Sequence, residues 1–180
     1  VKLMDKEFPQ LSLKQEDCIE QTWVKSHLMF NDLPLNTSLD ILLNRVPYLP
    51  LTYDKHKSDY VVKTIPKEGL DTLWKKILER ENVILQFNPY GGKMSEISED
   101  ATPFPHRKGI LYKIQYLAFW HDDSPEVHNR NMKSVKEIYE FMTPFVSSNP
   151  REAFLNYRDV DIGTNVNNRM DFGLDYFKGN

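Results

Sequence analysis

The sequence is poor in several features, and each shortage excludes a class of structure or function. Cys18 is the only cysteine, which excludes an internal disulfide and a cysteine-rich zinc site. The 23 basic and 26 acidic residues nearly cancel, and the formal charge of −3 gives no electrostatic reason to expect nucleic-acid binding. No apolar run approaches the roughly 20 residues that a membrane-spanning helix needs.

Common metal-binding and catalytic motifs are also missing. His121 and His128 do not have the HxxxH spacing of a helical metal site, and we predict no bound metal. The NPYGG cluster at 88–92 is not followed by the glycine pattern of a nucleotide-binding loop. Nothing resembles the sharp turn that presents a nucleophilic serine or cysteine. Motif spacing alone therefore names no reaction.

The ends and modification signals indicate a processed protein. The chain begins at Val1 and shows no signal peptide, which we take to indicate processing or a fragment of a larger protein. Asn36-Thr37-Ser38 is an N-glycosylation sequon in a loop that contains proline and asparagine. We therefore predict a glycan at Asn36, which favours a secreted protein.

The elements expected from periodicity are mixed in type. Apolar residues recur at helical spacing over 66–81 and 124–146, and each run follows an early proline. Alternating or apolar runs typical of strands occupy 58–62, 82–87, 111–120 and 153–163. We expect shorter helices after Ser38 and over 170–177. The segments 46–56 and 93–109 are predicted to be loops. The pattern predicts an α+β fold in which an antiparallel sheet carries two main helices on one face.

The stretch LYKIQYLAFW, residues 111–120, contains two polar residues in an apolar setting. In a strand, Lys113 and Gln115 point to the same face, together with Leu111, Leu117 and Phe119. One interpretation is a solvent-facing side of an edge strand. The other is a pocket floor, where a buried lysine has a lowered pKa or holds an anion and the glutamine offers a donor and an acceptor.

Two further residues are candidates for proton transfer. Tyr157 stands in the last expected strand, where a tyrosine is ordinarily part of the core. If it met Lys113, the ammonium would favour the phenolate and make Tyr157 a usable base. His106 is a candidate ligand or acid, although a loop histidine beside an arginine is more often structural.

Six stretches carry a resemblance to one known family. They are LDILLNR (39–45), KSDYVV (57–62), NPYGGKMSEISEDATPFPHR (88–107), LYKIQYLAFW (111–120), MTPFVSSNPREAFLNYRDVDIG (142–163) and YFKGN (176–180). In this order they resemble the C-terminal half of the plant berberine bridge enzyme-like FAD-linked oxidases, over nearly the whole chain.

The resemblance implies a secreted, often glycosylated flavoprotein with a fold of the vanillyl-alcohol-oxidase type. Residues 1–150 would be part of its α+β substrate-binding domain, and 151–180 would begin the segment that returns toward an FAD-binding domain. That domain, which holds the FAD attachment residues, is absent from this chain and would be its partner. The implied reaction passes a hydride from a small substrate to flavin N5 while a side chain takes a proton, with O2 as the usual acceptor.

The resemblance also implies roles for individual residues. Gln115 stands where the alkaloid-type enzyme has a catalytic glutamate, and the combination of Gln115, Lys113 and Tyr157 is similar to members that oxidise alcohols such as monolignols. The predicted substrate contacts are Asn88 and Tyr116, and the predicted flavin contact is Asn156. The alternatives are an oxidative cyclase of alkaloid or cannabinoid type and a non-catalytic secreted binding or defence protein.

Overall fold

The computed structural model describes residues 1–45, 52–80, 82–157, 159 and 161. It divides into two compact units, 1–50 and 51–180. The sequence-based boundary at residue 150 stays a prediction. None of the described helices is both long and apolar enough to cross a membrane. The same residues contain no cluster of three or more histidine, cysteine or acidic side chains placed to hold a metal ion.

The first unit is made of short helices. Helix α1 spans Lys2–Glu7 and α2 spans Trp23–Phe30, with 3-10 turns at Pro9–Leu11, Gln15–Asp17 and Leu39–Leu43. Thr22 begins α2, because its side-chain oxygen accepts a hydrogen bond from the Lys25 amide. Ser38 does the same for Asp40, so the helix predicted after Ser38 is present as a 3-10 turn.

The second unit is built on a three-stranded antiparallel sheet. Strand β1 spans Tyr53–Val61, β2 spans Val83–Pro89 and β3 spans Tyr112–Trp120. Their order is β1-β3-β2, so β3 is the central strand. Lys113 pairs with Tyr60 of β1 and with Asn88 of β2, which fixes the register of all three strands.

Two amphipathic helices cover one face of this sheet. Helix α3 spans Lys67–Leu78 and α4 spans Pro125–Phe141. Apolar side chains of both helices pack with the β3 residues Ile114, Tyr116, Ala118 and Trp120 in one core. The predicted α+β fold, with an antiparallel sheet and its two main helices on one face, is confirmed.

The start of β1 differs from the prediction of a loop through His56. The strand already begins at Tyr53. The next four residues all have ionisable side chains: Asp54, Lys55, His56 and Lys57. Lys55 and Lys57 point to the helix side and are buried there, because Asp159 accepts hydrogen bonds from both ammonium groups at 2.6 and 2.7 Å. A partner about 100 positions away thus makes a charged sequence compatible with a buried strand.

The strand predicted over 153–163 is wrong for its described part. Residues 151–157 form turns and extended chain beside β1, with a Tyr157 N–H to Phe154 C=O bond closing a turn. The backbone is held by a side chain: the Phe154 N–H donates to Ser58 Oγ at 2.8 Å. The hydroxyl of Ser58 thus satisfies the Phe154 amide in place of a neighbouring strand, and the alternating sequence does not form a strand. The helix predicted over 170–177 lies outside the described residues.

Candidate active site

The sheet face opposite the helices, called the site face below, gathers the polar residues singled out in the sequence. It is formed by Asp54, His56, Ser58 and Tyr60 of β1, Ile84, Gln86 and Asn88 of β2, and Lys113, Gln115, Leu117 and Phe119 of β3. Lys113 and Gln115 occupy its centre because β3 is the middle strand. Both are buried, which excludes the interpretation of a solvent-facing edge strand.

Lys113 differs from the other buried lysines of the sheet. It is 6% exposed, as Lys57 is, yet it forms no ion pair with any described residue, whereas Lys55 and Lys57 share Asp159. Loss of hydration without a compensating anion lowers the pKa of Lys113. A buried cation without a carboxylate partner is costly for folding and therefore points to a functional role.

The aromatic rings of the 151–157 segment lie on Lys113. Its Nζ atom is 3.5 Å from the ring centroid of Phe154 and 4.2 Å from that of Tyr157. The predicted meeting of Lys113 and Tyr157 is therefore observed. Burial raises the pKa of Tyr157, however, which is opposite to the direction expected if Lys113 alone stabilised the phenolate. The ammonium contacts the face of the ring, where a cation–π interaction also stabilises the neutral phenol.

Gln115 is tied to two residues that the sequence analysis did not single out. Its Nε2 atom lies 2.8 Å from Nδ1 of His56, and Nε2 of His56 lies 3.0 Å from Oδ2 of Asp54. These contacts form a carboxylate–imidazole–amide chain across β1 and β3. The Asp-x-His spacing in a strand signals that both side chains share a face, but only the register brings them to Gln115.

Asn88 carries a hydrogen-bond donor that no described residue satisfies. Its Oδ1 atom accepts a hydrogen bond from Gln86 Nε2 at 3.4 Å, and its Nδ2 atom is buried without an acceptor in the described part of the chain. Asn88 stands beside Lys113 in the register. A buried orphan donor in this position is suited to a ligand oxygen.

Three other predicted residues have different surroundings. Tyr116 points to the helix side, is fully buried and meets the ring of Tyr139 edge-on at 5.7 Å, so we do not carry it into the site. Asn156 is exposed in the turn that precedes Tyr157. Asn36 lies in the first unit, exposed in a turn.

His106 has the structural surroundings that its loop position suggested. It is buried and stacks on the ring of Tyr60 with centroids 4.0 Å apart. Nδ1 of His106 lies 3.6 Å from a carboxylate oxygen of Glu152. Burial lowers the pKa of His106, which favours the neutral ring. His106 thus anchors the 93–109 loop against β1.

Known proteins resemble the chain in both sequence and structure. Berberine bridge enzyme-like 3 of Arabidopsis thaliana is 48% identical over 187 residues, which cover 100% of this chain and 34% of that protein. The structure of BBE-like 28 from the same plant matches with a TM-score of 0.84 at 38% identity, covering 98% of this chain and 38% of that one. The chain belongs to the berberine bridge enzyme-like family.

This berberine bridge enzyme-like chain is also similar to a solved pollen protein. Phl p 4, described as a grass pollen allergen with glucose dehydrogenase activity, matches with a TM-score of 0.82 at 37% identity, over 99% of this chain and 38% of that one. The chain spans about a third of the length of the curated relatives that it matches. No protein-family model matches it. The family and fold inferred from the six sequence stretches are confirmed.

The site face of this berberine bridge enzyme-like chain has a polar centre within an apolar border. Its polar centre of Lys113, Gln115 and Asn88 is bordered by the exposed apolar side chains of Ile84 and Phe119. Polar atoms within an apolar border suit a flat ring system that carries its hydrogen-bonding groups at the edge. The arrangement offers such a ligand a donor, an acceptor and a titratable amine.

Proposed function

We propose that the chain is the substrate-side part of a secreted FAD-dependent oxidase that acts on a small plant alcohol of the monolignol or sugar type. The observation that carries the proposal is the convergence on the site face of Lys113, Gln115 and Asn88, with Tyr157 above Lys113. FAD, when bound by the complete protein, would supply the acceptor for the hydride that leaves the alcohol carbon.

Gln115 and Asn88 have complementary capacities for orienting an alcohol. The hydrogen bond to His56 uses Nε2 of Gln115, and no described residue donates to Oε1 of the same amide. Nδ2 of Asn88 is a donor that lacks an acceptor among the described residues. A substrate hydroxyl both donates and accepts, so the two amides together hold its O–H bond in one direction.

Lys113 and Tyr157 form a coupled pair that takes the hydroxyl proton. When the pair has lost one proton, it exists either as amine and phenol or as ammonium and phenolate, and these forms have the same charge. Burial lowers the pKa of Lys113 and raises that of Tyr157, which favours amine and phenol. In either form the pair accepts one proton while the hydride leaves the carbon, and the alcohol becomes an aldehyde or ketone.

Two comparisons with relatives support this class of substrate. The glucose dehydrogenase activity named for Phl p 4 is the oxidation of a sugar by a protein of the same fold. The combination of Gln115 and Lys113 resembles members that oxidise monolignols, whereas the alkaloid-type enzyme carries a glutamate in place of Gln115. Alcohol oxidation is therefore the function that this face supports best.

The test is anaerobic reduction of the flavin in the intact protein, with coniferyl alcohol and glucose as probes. We expect Gln115→Ala and Tyr157→Phe each to slow reduction by about 10²-fold, the lower end of what a positioned acid or base contributes. Tyr139→Phe is the matched control, because this tyrosine packs on the helix side of the sheet. Unchanged reduction rates in both site variants would refute these roles.

The colour of the intact protein separates the oxidase from a non-catalytic relative. A yellow preparation with flavin absorbance supports the oxidase. A colourless, folded intact protein would contradict the proposal and favour a binding or defence protein. Reduction of the flavin by an alkaloid but by neither alcohol would instead indicate the cyclase-type reaction.

A further inference from the structure

We propose that Asp54 and His56 set the orientation of the Gln115 amide, so that the site binds alcohols when His56 is neutral and carbonyl compounds when it is protonated. The inference rests on the proposed oxidation of an alcohol and adds two positioning residues to it. It starts from the chain of contacts Asp54 Oδ2 to His56 Nε2 at 3.0 Å and His56 Nδ1 to Gln115 Nε2 at 2.8 Å.

Asp54 determines which nitrogen of the neutral imidazole carries the proton. An ionised carboxylate only accepts hydrogen bonds, so His56 Nε2 must donate to Asp54 Oδ2. A neutral imidazole has one donor and one acceptor, and Nδ1 is therefore the acceptor. The Phe119 ring meets the imidazole in a T-shaped contact, with centroids 5.8 Å apart, which limits rotation of the His56 ring.

The tautomer of His56 in turn fixes the amide of Gln115. Because Nδ1 accepts, the amide must turn its NH2 group toward His56, as the structure shows. The oxygen of the amide then points away from His56, where no described residue donates to it. Gln115 in this orientation presents an acceptor, which suits the O–H group of an alcohol substrate.

Protonation of His56 reverses this arrangement. Both imidazole nitrogens then donate, so the favoured partner of Nδ1 becomes the oxygen of Gln115. The amide turns by half a rotation and offers its NH2 group to the ligand. That group suits the oxygen of an aldehyde or ketone, which is the product of the reaction. Histidine is the side chain whose charge most often changes between pH 5 and pH 8.

Several titratable groups of the described residues lie on the same face as His56 or on the segment packed over it. They are Asp54 and Tyr60 of β1, Lys113 of β3, Glu152 and Tyr157 of the 151–157 segment, and Tyr90 and His106, whose rings contact Tyr60. Arg151 of that segment is paired with Asp59. The β2 residues of the site face, Ile84, Gln86 and Asn88, carry no titratable group. Asp54 is the only one of these groups in direct polar contact with His56 in the described part of the chain.

The experiment compares alcohol and aldehyde binding to the intact flavoprotein at pH 5 and pH 8. The Kd of coniferaldehyde is read from the change in flavin absorbance without turnover, and that of coniferyl alcohol from the saturation of anaerobic reduction. From pH 8 to pH 5 we expect the aldehyde to bind about tenfold more tightly and the alcohol about tenfold more weakly, as reversal of one hydrogen bond produces.

Two variants identify His56 as the source of the change. In His56→Gln the new amide donates to Asp54 and accepts from Gln115, so both Kd values should keep their pH 8 values at pH 5. Asp54→Asn removes the fixed tautomer and should reduce the preference for alcohol at pH 8. His121→Gln changes an exposed histidine beyond the end of β3 and should behave as the unchanged protein.

Different results would refute the proposed function and the role of His56. If neither coniferyl alcohol nor glucose reduces the flavin, the proposed function is wrong, and this inference falls with it. If an alcohol does reduce the flavin but His56→Gln retains the pH dependence of both Kd values, the proposed function stands and the role of His56 is refuted. Equal pH dependence of alcohol and aldehyde binding in the unchanged protein would also refute the amide reversal.

Discussion

The Nζ atom of Lys113 lies 3.5 Å from the ring centroid of Phe154, and no described carboxylate neutralises it. This contact differs from that of Lys57, whose ammonium lies 2.7 Å from Asp159 Oδ2 at a similar depth. The sheet therefore buries three lysines: Lys55 and Lys57 share the counterion Asp159, whereas Lys113 contacts aromatic rings and pairs with no described carboxylate. Because Lys113 loses solvation without an ion pair in return, we attribute its burial to function rather than to stability.

Replacing Lys113 by methionine should separate function from stability. Burial lowers the pKa of Lys113 in the folded state from its ordinary value of 10.5. Below pH 10.5 the unfolded chain therefore holds this proton more tightly than the folded chain, which favours unfolding. We expect Lys113→Met to be at least as stable as the unchanged protein at pH 7 in urea unfolding, and to lose about 10²-fold in the rate of flavin reduction.

Lys57→Met is the matched control for that change. It removes one of the two cations from Asp159 and should destabilise the fold by about 1–3 kcal/mol. A Lys113→Met protein that unfolds more easily than Lys57→Met, yet reduces its flavin at the normal rate, would show that Lys113 is structural.

The ion pair between Arg151 and Asp59 is expected to be the strongest link between the 151–157 segment and the sheet. Two guanidinium nitrogens of Arg151 each lie 2.6 Å from a different oxygen of Asp59, which is fully buried. Arg151→Ala leaves that carboxylate buried without its partner. We expect a loss of about 3–5 kcal/mol in the free energy of unfolding, measured by urea denaturation.

An exposed pair in the same unit provides the comparison. Lys67 and Asp71 form an ion pair one turn apart on α3, and both side chains are largely in water. Asp71→Asn should change the free energy of unfolding by less than about 1 kcal/mol. Similar losses in Arg151→Ala and Asp71→Asn would contradict the importance given to the buried pair.

The buried His106 should make the stability of the protein depend on pH. Its pKa is lowered by burial, so as pH falls below about 6.5 the unfolded chain takes up a proton that the folded chain resists. Stability present near pH 7 is therefore lost toward pH 5. We expect the decrease in Tm between these pH values to be smaller in His106→Gln.

Glu152 should change the pH dependence of stability in the direction opposite to that of His106. Burial raises its pKa, so the folded chain binds a proton more readily than the unfolded chain above about pH 4.5. Its contribution to stability grows as the pH falls. Glu152→Gln should therefore steepen the loss of stability on acidification, and a shallower loss would refute this assignment.

We propose that Asn36 carries a glycan. The residue is exposed in a turn, which leaves its side chain accessible to the modifying enzyme. Asn36→Gln should abolish the mass decrease that peptide N-glycosidase produces. Ser38→Ala should do the same and also lower stability by about 1 kcal/mol, because Ser38 caps the following 3-10 turn. An unchanged mass decrease in Asn36→Gln would locate the glycan elsewhere.

Period-two alternation predicted that Lys113 and Gln115 share one face of a strand, and the structure has them on one face of β3. The helical spacing of apolar residues predicted α3 and α4, and an apolar run before the NPYGG turn predicted β2. Alternation could not show whether the face of Lys113 and Gln115 is exposed to solvent. The family resemblance suggested a pocket there, and only the register of three strands shows that Asn88 stands beside Lys113.

What the sequence could not predict depends on contacts between distant residues. The lysines of β1 look like loop residues until Asp159 is placed beside them. Asp54 and His56 become part of the site only because β1 pairs with β3 in one register. The 151–157 segment has the alternation of a strand, but the hydroxyl of Ser58 satisfies its Phe154 amide instead of a neighbouring strand.

Strand β3 separates two environments, with Ile114 and Tyr116 on the core side and Lys113 and Gln115 on the other. A shift of its pairing by one residue would exchange these sets, placing an ammonium and an amide among the helices and two large apolar side chains on the site face. Such a misaligned sheet would be unstable, because it would bury polar groups in the hydrophobic core. The packing of the hydrophobic interior therefore also fixes the alignment of Lys113 and Gln115 on the site face.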